Sequence, residues 1–323
     1  MLRESLELSV CRNKPRDFAR RVREVGGFQL DNVPRASALP DISLPGVVPV
    51  LYHGDRRAGL FAPPAVCLPL YAVVRRSLSR ARFADADDVA RTFKFKSGTP
   101  LVLTGTDIDR PLERWWSLGG NGRKQAIRVL KGLDVQLVTT PNYSMFTDRP
   151  RWDDMHSMKR IALTHQEFVG EGVRAALHVN AITERDWERW TEYVHARSEV
   201  KEVAYEFATG AGWAERTDWH IAQLVGLSRN AGRPLHLVVR AAPRNVLGDL
   251  AAAFSGMTVL DTSTFIKTVR RQRGRGAALG KIEWQPSPTE DKEALDELLM
   301  DNWSVVRCSY DHHREEAYRD LPN

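Results

Sequence analysis

Short apolar runs and longer amphipathic stretches alternate along the chain from residue 47 onward. Eight runs rich in valine and leucine read as strands: Val47–Tyr52, Val66–Val74, Leu101–Thr106, Val135–Thr140, Arg174–Asn180, Glu202–Phe207, Leu235–Arg240 and Thr258–Asp261. They are near-continuously apolar rather than alternating, as expected of strands buried on both faces. The amphipathic stretches predict helices over Asp85–Phe95, Lys124–Lys131, Trp152–Val169, Glu184–Arg197, Trp213–Asn230, Asn245–Phe254 and Thr289–Asn302. Thr183 with Asp186 three residues on has the spacing of a capping box. Ser287-Pro288-Thr289-Glu290 carries a cap, a proline and an acid in the order of a helix start. Gly132, Gly172, Gly232 and Gly256 each separate a helix from a strand and predict helix ends closed in the left-handed conformation.

Eight strands with helices between them predict a (β/α)8 TIM-type barrel. The first two strands are only about a dozen residues apart, too close for a helical crossover. Either they pair as a hairpin or one of them is not a strand, so the barrel is expected to be irregular there. A doubly wound open sheet is the runner-up, but no G-x-G-x-x-G follows any strand. Residues 1–46 read as an N-terminal extension: a basic helix over Pro15–Val25, ended by Gly26-Gly27, then a linker rich in proline and serine. The barrel is expected over 47–303 and a C-terminal tail over 304–323.

Composition narrows the class. With 323 residues, 27% of them charged, and nine tryptophans, the chain can build a large core and is not a disordered one. The three cysteines, Cys11, Cys67 and Cys308, stand far apart with no C-x-x-C. That argues against a structural zinc or iron–sulfur centre and suits a reducing cytoplasm. No apolar run approaches the length of a membrane span, and no apolar stretch follows the first charges, so neither a span nor a secretory signal is expected. The net charge is +6, and the stretch 267–281 alone holds six cations and no acid. Its Lys267, Arg270, Arg271, Arg273 and Arg275, punctuated by glycines, read as a flexible basic loop: either a solvated loop or a contact for phosphate.

In a barrel, chemistry collects at the C-terminal ends of the strands. Those ends carry Asp107 and Asp109 after the third, Asn142, Tyr143 and Ser144 after the fourth, and Asn180 after the fifth. Glu206 and Thr209 follow at the sixth, Arg240 at the seventh and Asp261 at the eighth. Asp107, Glu206 and Asp261 are the candidate catalytic groups. Carboxylates sharing one rim suit general acid–base work, with one acid protonated and another ionised. They also suit nucleophilic attack on an anomeric carbon, or they could bind Mg²⁺. Asp109, Asn142, Tyr143, Ser144, Asn180, Thr209 and Arg240 are the candidate substrate contacts. Each acid has a structural alternative: Asp107, Asp109 and Asp261 as helix caps, and Glu206 as the partner of Arg240. His178 and His236, in mid-strand, read as core histidines. Trp115, Trp116 and Tyr143 read as packing residues or as stacking surfaces for a base or sugar. No cofactor and no metal ligand set is predicted.

The segment Thr139-Thr-Pro-Asn-Tyr-Ser-Met-Phe146, then Asp148-Arg-Pro-Arg151 and a helix carrying Lys159-Arg160, resembles a family of uncharacterised bacterial and phage proteins. There a strand ends in Pro-(Asp/Asn)-(Phe/Tyr)-Ser before an arginine-bearing helix. This resemblance implies a barrel over residues 100–270 and no particular activity. More distantly, the rim of acids is similar to the tRNA-guanine transglycosylase barrels and their DNA-modifying relatives, which exchange a base through a glycosyl–enzyme intermediate. The chain departs from the tRNA branch in lacking its cysteine-and-histidine zinc site. The expectation is an enzyme acting on a nucleoside or nucleic acid by base exchange or glycosidic cleavage. The alternatives are a nucleic-acid or partner-binding barrel without catalysis and a Mg-dependent hydrolase of a phosphorylated substrate.

Overall fold

The computed structural model describes residues 15–74, 82–208, 214–276, 280–290 and 293–319. Eight parallel strands form a (β/α)8 barrel: β1 (Val47–Pro49), β2 (Val66–Pro69), β3 (Leu101–Thr104), β4 (Val135–Thr139), β5 (Ala175–His178), β6 (Glu202–Glu206), β7 (His236–Arg240) and β8 (Gly256–Asp261). β1 pairs with β8, and the ladder runs on through neighbours to β2. The ring closes between β1 and β2 through one parallel bridge, Val50 to Cys67, with the Leu51 N–H donating to the Cys67 carbonyl at 2.8 Å. Both predicted strands are therefore real and parallel, not a hairpin, and the irregularity at this seam takes the form of that thin closure.

The helices are α1 (Pro15–Val25), α2 (Leu70–Val73), α3 (Ala86–Phe93), α4 (Asp109–Ser117), α5 (Gly119–Lys131), α6 (Arg151–Gly170), α7 (Glu184–His195), α8 (Ala214–Asn230), α9 (Leu247–Ala253), α10 (Ser263–Val269) and α11 (Asp296–Arg319). None in the described residues is long and apolar enough to cross a membrane. The capping box at Thr183 and Asp186 starts α7 as its spacing predicts. The glycine expectation holds at Gly172 and Gly232, whose φ values are 77° and 71°. It fails at Gly132, which stays right-handed while Asp134 takes the positive φ. At Gly256 space is the reason, because a Cβ there would stand 2.6 Å from the His236 ring.

The barrel interior is apolar and small. Val48 of β1, Val50 just beyond it, Cys67, Val102, Leu137, Ala176, Ala204, Val238 and Leu260 form one buried cluster with a contribution from each strand. Larger residues fill the shells between strands and helices, among them Trp115, Trp187, Trp190 and Phe168. Residues 15–46 lie packed on the barrel. The Phe18 ring meets Trp152 edge-on, Lys159 donates to the Gln29 carbonyl, and Arg197 donates to the carbonyls of Val33 and Pro34. Ile42 and Leu44 then pack onto the interior layer from the end where the strands begin.

Residues 267–276 of the basic segment are not a loop. They form the end of α10 and the first strand of an antiparallel hairpin, β9 (Gln272–Gly276) with β10 (Ile282–Pro286). The predicted start of the last helix at Thr289 is also displaced. α11 begins at Asp296 and runs through residue 303, so the expected barrel–tail boundary falls inside one helix.

Candidate functional site at the barrel mouth

Side chains alternate sides along a strand, so the residue two positions after an interior one points inward again. Two positions beyond Val102, Leu137, Ala176, Ala204 and Val238 stand Thr104, Thr139, His178, Glu206 and Arg240. The layer above the apolar floor is thus wholly polar on five consecutive strands. Thr104, Thr139, His178 and Glu206 are buried, and Arg240 is partly so. A polar layer inside a barrel must satisfy itself or await a ligand.

Glu206 is 4% exposed. Its carboxylate accepts from Arg240 Nη1 at 2.7 Å and from the Ala208 N–H at 2.9 Å. Burial pushes its carboxyl above the ordinary range, against the opposing pull of Arg240, the Ala208 amide and the Thr106 hydroxyl. Arg240 is raised in turn by Glu206 and Tyr52, which together outweigh its own burial. His178 lies beside this pair. Its Nδ1 faces the Thr140 carbonyl at 2.5 Å and its Nε2 faces the Thr106 hydroxyl at 3.3 Å. Burial lowers its pKa to about 4, the Thr140 carbonyl opposing and Arg240 assisting, so the ring is neutral at pH 7. Facing a carbonyl, Nδ1 carries the proton and Nε2 accepts from Thr106.

Thr106 therefore has one proton and two acceptors, His178 and Glu206. When it serves His178, Glu206 is best satisfied by holding a proton and donating it back to the Thr106 oxygen. The chain then runs without conflict from Glu206 through Thr106 and His178 to the Thr140 carbonyl. Burial favours that proton on Glu206, whereas the Arg240 and Ala208 donors on its oxygens favour the carboxylate.

Above this layer opens a cavity of about 390 Å³. Thr106, Asp107, Asn142, Ser144, Phe146, Asn180, Glu206, Arg216 and His220 are on its walls. Two loops frame it, and one half-buried guanidinium ties them together. Arg151 pairs with Asp154, which accepts the Phe146 N–H at 2.9 Å, and with Asp186, which accepts the N–H groups of Ile182 and Thr183. The Tyr205 hydroxyl meets His220 Nδ1 at 2.7 Å on the same wall, and burial, helped by Arg216, lowers His220 to about 4.

The sequence-predicted residues divide. Asp107, Asn142, Ser144, Asn180 and Glu206 converge on the cavity, and Arg240 stands behind Glu206. Asp107 is exposed, with its Oδ1 accepting its neighbour's N–H at Ile108. Asp109 accepts the Ser144 hydroxyl at 2.6 Å and so braces the rim from the first turn of α4. Tyr143 is buried beneath Arg160, whose Cζ is 4.0 Å from the ring centroid, and offers only its carbonyl, to Asn180. Asp261 has the opposite strand parity from Leu260 and turns out of the lumen. It accepts the N–H and hydroxyl groups of both Ser263 and Thr264, fastening the start of α10. Thr209 lies outside the described residues.

None of Lys267, Arg270, Arg271, Arg273 and Arg275 lines the mouth cavity. Arg273 pairs with Asp301, Arg271 donates to Thr289, and Lys267 sits over the Trp284 ring. Trp115, stacked on Phe168, is core. The cavity-lining residues that the strand-end survey missed include Thr106, Phe146, Arg216 and His220. His178 is the core histidine its sequence position suggests, buried with both ring nitrogens hydrogen-bonded in the layer beneath the cavity. The missed residues come from loops and helix faces that only the fold brings to the mouth.

Among the described residues no group of three or more His, Cys, Asp or Glu side chains is arranged to hold a metal ion. The fold and site define a (β/α)8 barrel with a polar cavity at the C-terminal ends of its strands. Comparison with protein-family models and with curated proteins finds no match.

Proposed function

We propose that the mouth is an active site for acid–base cleavage or exchange of the glycosidic bond of a nucleoside or nucleotide unit. Glu206 is the group that donates a proton to the departing base. Asp107 is the second carboxyl, acting on the anomeric carbon or on the water that attacks it. The observation that carries the reading is that one cavity is lined both by a buried carboxyl held towards its protonated form and by a second carboxyl open to solvent. Burial favours the Glu206 proton against the pull of Arg240 and Thr106, and Arg240 orients the carboxyl. The cavity volume falls in the usual range for small-molecule sites.

The test is release of free base from a panel of nucleosides and nucleotides. Glu206→Gln lowers turnover by about 10²–10⁴-fold, the ordinary worth of a general acid, while substrate still binds. Activity declines as pH rises through the raised Glu206 pKa, because the working form is the protonated one. Full turnover by Glu206→Gln would sink the proposal.

A nucleic-acid strand is the alternative partner, and it would rest on the exposed Arg270, Arg275 and Lys281. Three of the neighbouring cations already have contacts within the chain, and the hairpin register sets Glu283 opposite Arg275. The mouth cavity therefore favours the smaller substrate.

A further inference from the structure

Asn142 and Phe146 stand on the loop after β4, and both line the mouth cavity. The Asn142 carboxamide oxygen is shut off from solvent and accepts no hydrogen bond. The neighbouring amide of Asn180 is tied to the Tyr143 carbonyl at 3.0 Å, and that of Asn302 is bonded at both ends. An amide oxygen buried without a donor is a cost to folding, and a bound group that donates to it recovers that cost. The terminal torsion of asparagine is broad, so the amide can turn its N–H and C=O edge to a ligand. A carboxylate or phosphate supplies acceptors only and leaves the oxygen unpaired. The fitting edge has an acceptor and a donor side by side, as in the lactam and amino edges of nucleobases. Phe146 is a large apolar ring left 42% exposed on the same wall, with the Arg149 guanidinium 6.0 Å from its centroid. An exposed ring on a rim is a stacking platform for a flat heterocycle.

We propose that Asn142 and Phe146 select the base: Asn142 reads its donor–acceptor edge and Phe146 covers its face. This rests on the nucleoside reading of the mouth and adds what that reading leaves open, the part of the substrate that decides specificity.

The experiment is calorimetric titration of the full chain with adenosine, inosine, cytidine and uridine, and with purine riboside, which lacks an exocyclic group. At least one substituted nucleoside binds about tenfold more tightly than purine riboside, a difference of about 1.4 kcal/mol. Asn142→Ala erases that difference, and Phe146→Ala weakens all of the nucleosides alike. Both variants keep the wild-type unfolding midpoint, since neither side chain makes a hydrogen bond that holds the fold.

Equal affinity for substituted and bare bases, or a preference that survives Asn142→Ala, overturns the proposal, as does failure of every nucleoside to bind. Cleavage of a riboside with a phenolic leaving group, stopped by Glu206→Gln but blind to the base, would overturn base selection and leave the acid–base site standing. Base discrimination lost in Asn142→Ala, with turnover indifferent to Glu206→Gln, would support base selection and sink the acid–base role.

Discussion

Replacing Arg240 by methionine isolates the energetics of the buried pair. The substitution keeps most of the apolar stem and removes the charge and the 2.7 Å hydrogen bond to Glu206. Glu206, only 4% exposed, regains little hydration when Arg240 is removed. Stranding one partner of a buried ion pair costs about 3–5 kcal/mol, and the carboxylate can escape that cost only by taking a proton. Its carboxyl is already raised above the ordinary 4.5 by burial, with Arg240 opposing, so losing Arg240 raises it further. A carboxyl raised in the folded state stabilises the fold fully below its unfolded pKa and loses that stability as pH rises through the folded value.

Arg240→Met is therefore nearest to wild type at about pH 5 and falls progressively behind towards about pH 9. The gap approaches about 3 kcal/mol, or roughly 6 °C in the unfolding midpoint. Urea and thermal denaturation across that range measure it. Adding Glu206→Gln to Arg240→Met removes the titrating group and flattens the pH dependence. What remains is the constant loss of packing and of the Tyr52 contact. A gap between Arg240→Met and wild type that is the same at both ends of the range would refute the coupling of Glu206 ionisation to Arg240.

Two further substitutions probe how the site is held. Gly105→Ala places a Cβ 2.4 Å from the Thr139 carbonyl oxygen and 2.7 Å from the Pro141 nitrogen, both backbone atoms of the adjoining strand end. It destabilises by about 1–3 kcal/mol, and an unchanged urea midpoint would contradict this. Asp186→Ala removes the acidic half of the α7 capping box, worth about 1 kcal/mol, and leaves the Arg151 guanidinium with Asp154 but without its second carboxylate. Hydrogen exchange at Ile182 and Thr183 quickens, whereas Asp186→Asn, which keeps an acceptor, is milder; protection equal to wild type in Asp186→Ala would show that the clamp does not hold the wall.

The places where sequence reading failed share a cause. The cap signals at Ser287–Glu290 are sound locally, yet the Ser287 N–H donates to the Arg271 carbonyl at 2.7 Å. That bond continues the hairpin ladder, so the backbone is committed before a helix can start. Arg273 and Arg271 looked like free cations because their partners, Asp301 and Thr289, are remote in sequence. Asp261 and Glu206 both end strands and look alike in one dimension. Strand parity separates them, and parity depends on register with the neighbouring strands, which fixes which face is the lumen.

The sequence by itself determined the barrel, because eight apolar runs with amphipathic helices between them have few other ways to bury their surfaces. It also determined which end of the barrel carries polar chemistry, and it named Glu206, Asp107, Asn142 and Asn180 among the residues there. Closure between β1 and β2, the docking of residues 15–46, and the conversion of a basic stretch into a hairpin were decided only in three dimensions. So was the chain from Glu206 through Thr106 to His178. Each of these depends on contacts between segments far apart in sequence, and local periodicity carries no record of them. Burial then gives the acids different environments: Glu206 is pressed towards its neutral form inside the barrel, Asp261 is spent fastening a helix, and Asp107 is left open at the mouth.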